Sequence, residues 1–289
     1  MIAIDWGTTS LRAYRLSASG ATLEARTAAK GILSVAPGGF PAALAQIAGD
    51  WRAAGEGPVL MCGMVGSRQG WVEVPYVQCP AGPAEISRRM FSLDGETRIV
   101  PGLSCVDPSG VPDVMRGEET QILGTLEALP GEACVCLPGT HSKWATVRGG
   151  RIVSFRSHFT GEAFAVLHGH SLLGRMMEPG PLEPRAFAEG LDRSGDEGGL
   201  LHHLFGVRAR PLFGELAPAA AHSYLSGILI GHELRSERQG VEAAAGKVHL
   251  LGTQALVERY ALGCRLLGLE SEALDPQAAA RGLYLLSRA

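Results

Sequence analysis

Apolar residues at the start of the chain fall into two runs with a small polar turn between them: Ile2–Asp5, then Gly7–Ser10, then Leu11–Leu16. That pattern predicts strand, tight turn, strand. A second turn at Ser19-Gly20 leads into "ATLEAR", a third strand. Leu44, Ile47 and Trp51 recur at the spacing of one helix face. The chain breaks at "GEG" and enters "PVLMCGMVG", a continuous apolar run of the kind buried parallel strands use. From Ser67 to Pro83 no period is visible. Arg68, Gln69, Trp71 and Tyr76 stand there among glycines and prolines, which predicts a loop-rich surface. "TRIVPGL" predicts a further strand. Ile122, Leu123, Leu126 and Leu129 predict a helix from near Gly117 to the stop at Pro130-Gly131.

The second half repeats the opening theme. "ACVCLPGTHSKWATVRGGRIVSFRSH" reads as strand, turn, strand, Gly-Gly turn, strand, and a helix is expected after Gly161. Residues 178–200, rich in Pro, Gly and charge, predict a loop with a short helix. "AHSYLSGILIGHEL" predicts a buried helix, and "KVHLLGTQALVERYALGCRLLGL" a strand, a Gly-Thr turn and a helix. The tail predicts a last helix, capped by Asp275 with Pro276 at its first position. Gly7-Thr8-Thr9-Ser10 and Gly139-Thr140-His141-Ser142 are near copies, each after an apolar strand and before another. The alternation of strands and helices predicts an α/β chain.

Composition narrows the class. The 289 residues suffice for two domains, 46% are hydrophobic and 19% charged, so the chain reads as globular rather than disordered. The formal net charge of −3 carries no electrostatic footprint for nucleic acid. No apolar run reaches the length of a bilayer span. A first strand starting at Ile2 leaves no room for a signal peptide, so a cytoplasmic protein is expected. The six cysteines then read as reduced, mostly buried thiols. Cys134 and Cys136 sit inside a strand-like run at a spacing zinc sites rarely use. His168, His170, His202 and His203 read as loop or helix-surface residues rather than ligands.

A turn of Gly, Thr and Ser after a strand gathers backbone N–H groups and hydroxyls around one point, which is a cradle for phosphate oxygens. Asp5 would repel phosphate unless a divalent cation lay between them. Mg²⁺ binds through one or two carboxylates and keeps water and phosphate oxygens as its other ligands. Asp5 is therefore the candidate metal residue, Gly7, Thr8 and Thr9 the candidate phosphate cradle, and Arg12 a cation able to reach the terminal phosphate. The turn at Gly139 and Thr140 lacks the acid, having Leu137 and Pro138 instead. Two cradles with one carboxylate suit a single Mg-nucleotide gripped by both halves. No G-x-x-x-x-G-K-[ST] is present, which excludes a P-loop protein.

These residues carry a resemblance. D-W-G-T-T-S-L-R is similar to the phosphate-1 motif of the sugar kinase/Hsp70/actin superfamily, with Asp5, Gly7, Thr8, Thr9 and Arg12 at the matching positions. L-P-G-T-H-S resembles the phosphate-2 turn, at Gly139 and Thr140. L-G-T-Q resembles the adenosine motif, at Gly252 and Thr253, with Gly-Thr in place of the usual glycine pair. "GMVGSRQGW", "PYVQCPAG", "VMRGEETQ", "LPGTHSKW" and "TGE" follow one another in the order found in 2-dehydro-3-deoxygalactonokinases. The resemblance spans essentially the whole chain. It implies two ribonuclease-H-like (actin-like ATPase) domains around a central nucleotide cleft, at 1–130 and 131–289, with a final helix at 276–289 packing back toward the crossing between them. It implies ATP with Mg²⁺, and transfer of phosphate to the 6-hydroxyl of 2-dehydro-3-deoxy-D-galactonate.

Carbohydrate kinases of this superfamily keep an aspartate just after a glycine at a helix start. Gly117-Glu118 holds that place here, so the resemblance makes Glu118 the base, with Glu119 its rival. A carboxylate substrate needs cationic or N–H partners. Arg68 in G-S-R-Q-G, beside Ser67, is the first candidate, and Arg116, Lys143 and Arg156 are alternatives. Trp71 and Tyr76 are candidate walls for the sugar acid, and equally candidate structural aromatics. Thr160 and Glu162 are candidates to reach substrate from the second half, and His141 is either a phosphate donor or a turn residue. The expected partner is a small sugar acid, with neither nucleic acid nor membrane, and a homo-oligomer is left open. Two other readings compete: a kinase of another sugar or sugar acid, and an actin-like or Hsp70-like ATP switch.

Overall fold

The computed structural model describes residues 1–178, 180–244 and 246–289. Pro179, inside the segment expected as a loop, and Ala245 lie outside the described residues. Contacts group the chain into two units: Met1–Glu132, Ala145–Arg156 and Asp275–Ala289 in the first, and Ala133–Trp144 with Ser157–Leu274 in the second.

The first unit opens with β1 (Ile2–Trp6), β2 (Leu11–Leu16) and β3 (Thr22–Ala28), an antiparallel meander. α1 (Phe40–Ala53) returns the chain to β4 (Val59–Cys62), which pairs with β1 in parallel, Asp5 opposite Cys62. There follow β5 (Val77–Gln78), α2 (Pro83–Ser87), β6 (Phe91–Ser92), β7 (Thr97–Ile99), β8 (Leu103–Val106), β9 (Pro112–Met115) and α3 (Glu118–Leu123). The main sheet has the order β3-β2-β1-β4-β7-β6, and β5-β8-β9 form a small second sheet. α1 exists because its apolar residues lie on one stripe. Phe40, Ala43, Leu44, Ile47, Ala48 and Trp51 are buried at helical spacing, and Pro41 sits in the first turn, where its missing N–H costs nothing. That stripe packs on Ile2, Ile4, Trp6 and Leu11 to form the core.

The second sheet repeats this design. β10 (Glu132–Leu137), β11 (Ser142–Arg148) and β12 (Arg151–His158) run consecutively, then α4 (Thr160–His170), α5 (Pro184–Arg193), α6 (Gly199–Leu212) and α7 (Pro218–Ala243) precede β13 (Lys247–Leu250). α8 (Gln254–Leu266) and β14 (Glu270–Ala273) follow, and α9 (Ala278–Arg288) belongs to the first unit. The order is β12-β11-β10-β13-β14, with β13 parallel to β10 as β4 is to β1. The two G-T-x-S turns thus occupy equivalent places, between the first and second strands of each sheet. Such turns lie at the carboxyl end of a central strand, where open α/β sheets bind ligands. No helix among the described residues is long and apolar enough to cross a membrane.

Three expectations change. The helix after Gly117 covers only Glu118–Leu123, followed by a single 3-10 turn at Leu126–Ala128, because α9 crosses at Gly124. A Cβ there would lie 1.9 Å from the Ala278 carbonyl oxygen. Gly124→Ala is therefore expected to destabilise the chain by about 1–3 kcal/mol or more, read as a lower denaturant midpoint. The region near residues 178–200 holds α5 and the start of α6. α6 escapes detection because its apolar residues mostly face outward, Leu201 and Phe205 being exposed and only His203 and Val207 buried. The last helix begins at Ala278 rather than Pro276, since Asp275 caps a preceding turn through the Gln277 N–H at 2.9 Å.

Candidate active site

In the first unit, Asp5 stands near the end of β1 and the Gly7–Ser10 turn follows, closed by Gly7 N–H donating to the Ser10 carbonyl at 2.9 Å. The turn is held from outside. Ile32 N–H donates to Gly7 O at 3.0 Å, and a Cβ on Gly31 would meet Thr8 O at 2.3 Å. Thr8 and Thr9 remain exposed. Asp5 is mostly covered, its side chain 13% exposed, with Arg12 Nη1 at 3.6 Å. Burial pushes its carboxyl up, and the Arg12 charge opposes that shift.

Two further segments close on Asp5. β4 is followed directly by Gly63, whose φ of +88° favours glycine, and a Cβ there would sit 2.7 Å from Trp6 O and 3.4 Å from Asp5 Oδ1. Gly117, at the start of α3, approaches so closely that its own Cβ would lie 3.1 Å from Gly63 Cα. The two carboxylates that follow have different surroundings. Glu118 is half-buried and accepts the Arg116 N–H at 2.9 Å. Glu119 is fully buried, accepting Gly117 N–H at 2.6 Å and the Thr120 hydroxyl at 2.8 Å. Burial, then the Glu118 charge, raises its pKa to about 7. Cys62 is buried near Asp5 and Glu119; burial first, then those two charges, pushes its thiol up.

The loop expected to bind the sugar acid is placed residue by residue. Arg68 is 85% exposed with a loose ion pair to Glu73 at 3.4 Å. Ser67 is buried and donates to Met64 O at 2.7 Å. Trp71 stacks on Phe40 at 6.0 Å, against the core. Arg116 is buried, donates to Val74 O at 2.7 Å and lies 4.3 Å from the centroid of the Tyr76 ring, so it braces the loop from beneath.

In the second unit, the Gly139–His141 turn is braced in the way the first turn is. Glu162 N–H donates to Thr140 O at 2.9 Å, and a Cβ on Gly161 would meet Gly139 O at 2.2 Å. Gly161→Ala should therefore displace the turn and destabilise the chain, read as a lower denaturant midpoint. His141 Nε2 lies 2.5 Å from Glu162 Oε2, and its ring stacks on Phe159. Lys143 is buried and donates to Ser157 Oγ. Thr160 donates its hydroxyl to Glu233.

Beside this turn a cavity of about 220 Å³ opens, lined by Gly139, Thr140, Phe164, Leu229, Arg259 and Tyr260 among others. Its walls are largely apolar. Arg259 lines it with a buried Nε that has no hydrogen-bond partner among the described residues, and burial lowers its pKa. Gly252 and Thr253, the residues of the adenosine-like motif, lead into α8 without lining the cavity, and the α8 residues Leu256, Arg259 and Tyr260 do line it. Sequence reasoning missed these, together with Gly63 and Glu233. A glycine directly after a buried strand is a readable signal for Gly63. The helix residues carry no local signal.

The 2-keto-3-deoxy-galactonokinase family model matches residues 5–286. The 2-dehydro-3-deoxygalactonokinase of Escherichia coli (strain K12) is 38% identical over 268 residues, 91% of this chain and 90% of the relative. A crystal structure from Sinorhizobium meliloti, provisionally assigned the same activity, superposes with a TM-score of 0.88 at 36% identity, covering 99% of this chain and 98% of the other. The activator of 2-hydroxyisocaproyl-CoA dehydratase from Clostridium difficile, with bound ADPNP, shares the fold at 13% identity and a TM-score of 0.52, covering 100% of this chain and 94% of its own.

Proposed function

The chain belongs to the 2-keto-3-deoxy-galactonokinase family, a family of carbohydrate kinases, and from that premise we propose that it transfers the γ-phosphoryl group of ATP to the 6-hydroxyl of 2-dehydro-3-deoxy-D-galactonate in the cytoplasm. The observation that carries the reading is the convergence of Asp5, Gly63 and the Gly117-Glu118 start of α3 in a chain that matches the family from residue 5 to residue 286.

Each part of the reaction has a residue to serve it. The N–H groups and hydroxyls of Gly7, Thr8 and Thr9 bind phosphate oxygens, with Arg12 as their cation. Gly139 and Thr140 hold phosphate from the second turn, and the adjoining cavity takes the nucleoside. Asp5 fits a hydrated Mg²⁺: it offers one partly exposed carboxylate, and no group of three or more His, Cys, Asp or Glu among the described residues is arranged to hold a metal alone. Such an ion, when bound, neutralises charge on the transferring phosphoryl group. Glu118 accepts the proton of the 6-hydroxyl as it attacks. Arg68, exposed on its loop, is the first cation for the substrate carboxylate.

Coupled ADP release across a panel of 2-keto-3-deoxy sugar acids tests the reading. The highest kcat/KM is expected with the galactonate derivative. ADP release that is slow and indifferent to every sugar acid would overturn it in favour of an ATP switch.

A further inference from the structure

A buried carboxylate outside the residues assigned so far links the cavity wall to the second phosphate turn. Glu233 lies on α7 and is 3% exposed. Its Oε1 accepts the Trp144 indole N–H at 2.7 Å, and its Oε2 accepts the Tyr260 hydroxyl at 2.8 Å and the Thr160 hydroxyl. The Tyr260 proton is thereby committed, so Ser142, 2.9 Å away, donates to the phenol oxygen. Among the described residues no salt bridge reaches Glu233. Three neutral donors from β11, the first residue of α4 and α8 satisfy this one buried anion.

Stability alone gives little reason for an anion here, because buried ionic groups are often replaced by apolar side chains of similar volume at no cost. The destinations of the donors give a better one. Thr160 and Tyr260 both line the cavity, and Thr160 is followed by Gly161, whose backbone abuts Gly139. We infer that Glu233 is a positioning residue for the nucleotide. It holds the start of α4 and the Tyr260 wall in one arrangement, so that the phosphate turn and the cavity are set before ATP arrives. Pre-set geometry lowers the ordering cost of binding. The inference rests on the reading that the cavity takes the nucleoside of ATP.

The test separates positioning from mere support. Glu233→Met fills similar space and removes the acceptor, whereas Glu233→Gln keeps an acceptor for Trp144 and an amide that the two hydroxyls can accept from. In calorimetric titration with ATP, Glu233→Met should weaken Kd by roughly tenfold or more. KM for the sugar acid should stay within about twofold, and Glu233→Gln should recover most of the loss. ATP binding by Glu233→Met within about twofold of the wild type, or a parallel rise in both KM values, overturns the inference. Should Glu233→Met not fold, Thr160→Val removes one arm at constant shape. It should weaken ATP binding a few-fold without moving KM for the sugar acid, and unchanged ATP binding counts against the proposal. A wild-type chain that does not bind ATP at all defeats the kinase reading itself and this inference with it. A wild type that binds ATP beside an indifferent Glu233→Met defeats the inference alone.

Discussion

Glu118→Gln is expected to lower kcat by roughly 10²–10⁴-fold, the range for loss of a general base. The amide keeps the shape of the side chain and can still accept the Arg116 N–H, but it cannot take the proton of the attacking hydroxyl. ATP affinity should change little, because the group is assigned to the acceptor. Glu119→Gln is the control and should leave kcat far closer to wild type, since its carboxylate is already spent on the Gly117 N–H and the Thr120 hydroxyl. It has a separate signature. Glu119 is raised from 4.5 to about 7 in the folded chain, so between those values the unfolded chain holds fewer protons and stability falls as pH rises. Glu119→Gln removes that dependence, and its Tm relative to wild type should climb across the same window in melts at either end. A dead Glu119→Gln beside an active Glu118→Gln would exchange the two roles. If both stay active, the base lies elsewhere, and Glu162 is next.

Asp5→Asn should cut kcat by orders of magnitude and flatten its dependence on magnesium, since it removes the one carboxylate assigned to the ion. The fold should survive. Asp5 is paired only loosely with Arg12, at 3.6 Å, and burial already works against its charge, so the amide relieves a desolvation cost. The variant should therefore melt at or above the wild-type temperature while turning over poorly. Near-normal turnover with an unchanged magnesium titration would remove Asp5 from this role.

The local pieces of the fold were legible along the chain. The polar turns Gly7–Ser10 and Gly139–Ser142 lie between apolar strands, and the stripe of Leu44, Ile47 and Trp51 marks α1, because turn chemistry and the period of a helix are properties of neighbouring residues. The repeated turn was visible too; the structure adds that it sits in the same place in both sheets, with β4 beside β1 and β13 beside β10. The rest depends on distant segments meeting. Gly63 crowds Asp5, and Gly117 crowds Gly63, because β4 pairs with β1 and α3 starts beside the end of β4, which the spacing of these residues along the chain does not encode. Glu118 and Glu119 are adjacent and identical in type, yet packing leaves one half-buried and seals the other. Arg116 reads as a free cation until Val74 and Tyr76 close on it. Glu233 and Arg259 look like ordinary charged positions on helices. Burial changes their meaning, because a charge withdrawn from water must find its partners in the surrounding fold, and those of Glu233 are Trp144, Thr160 and Tyr260, on other strands and helices.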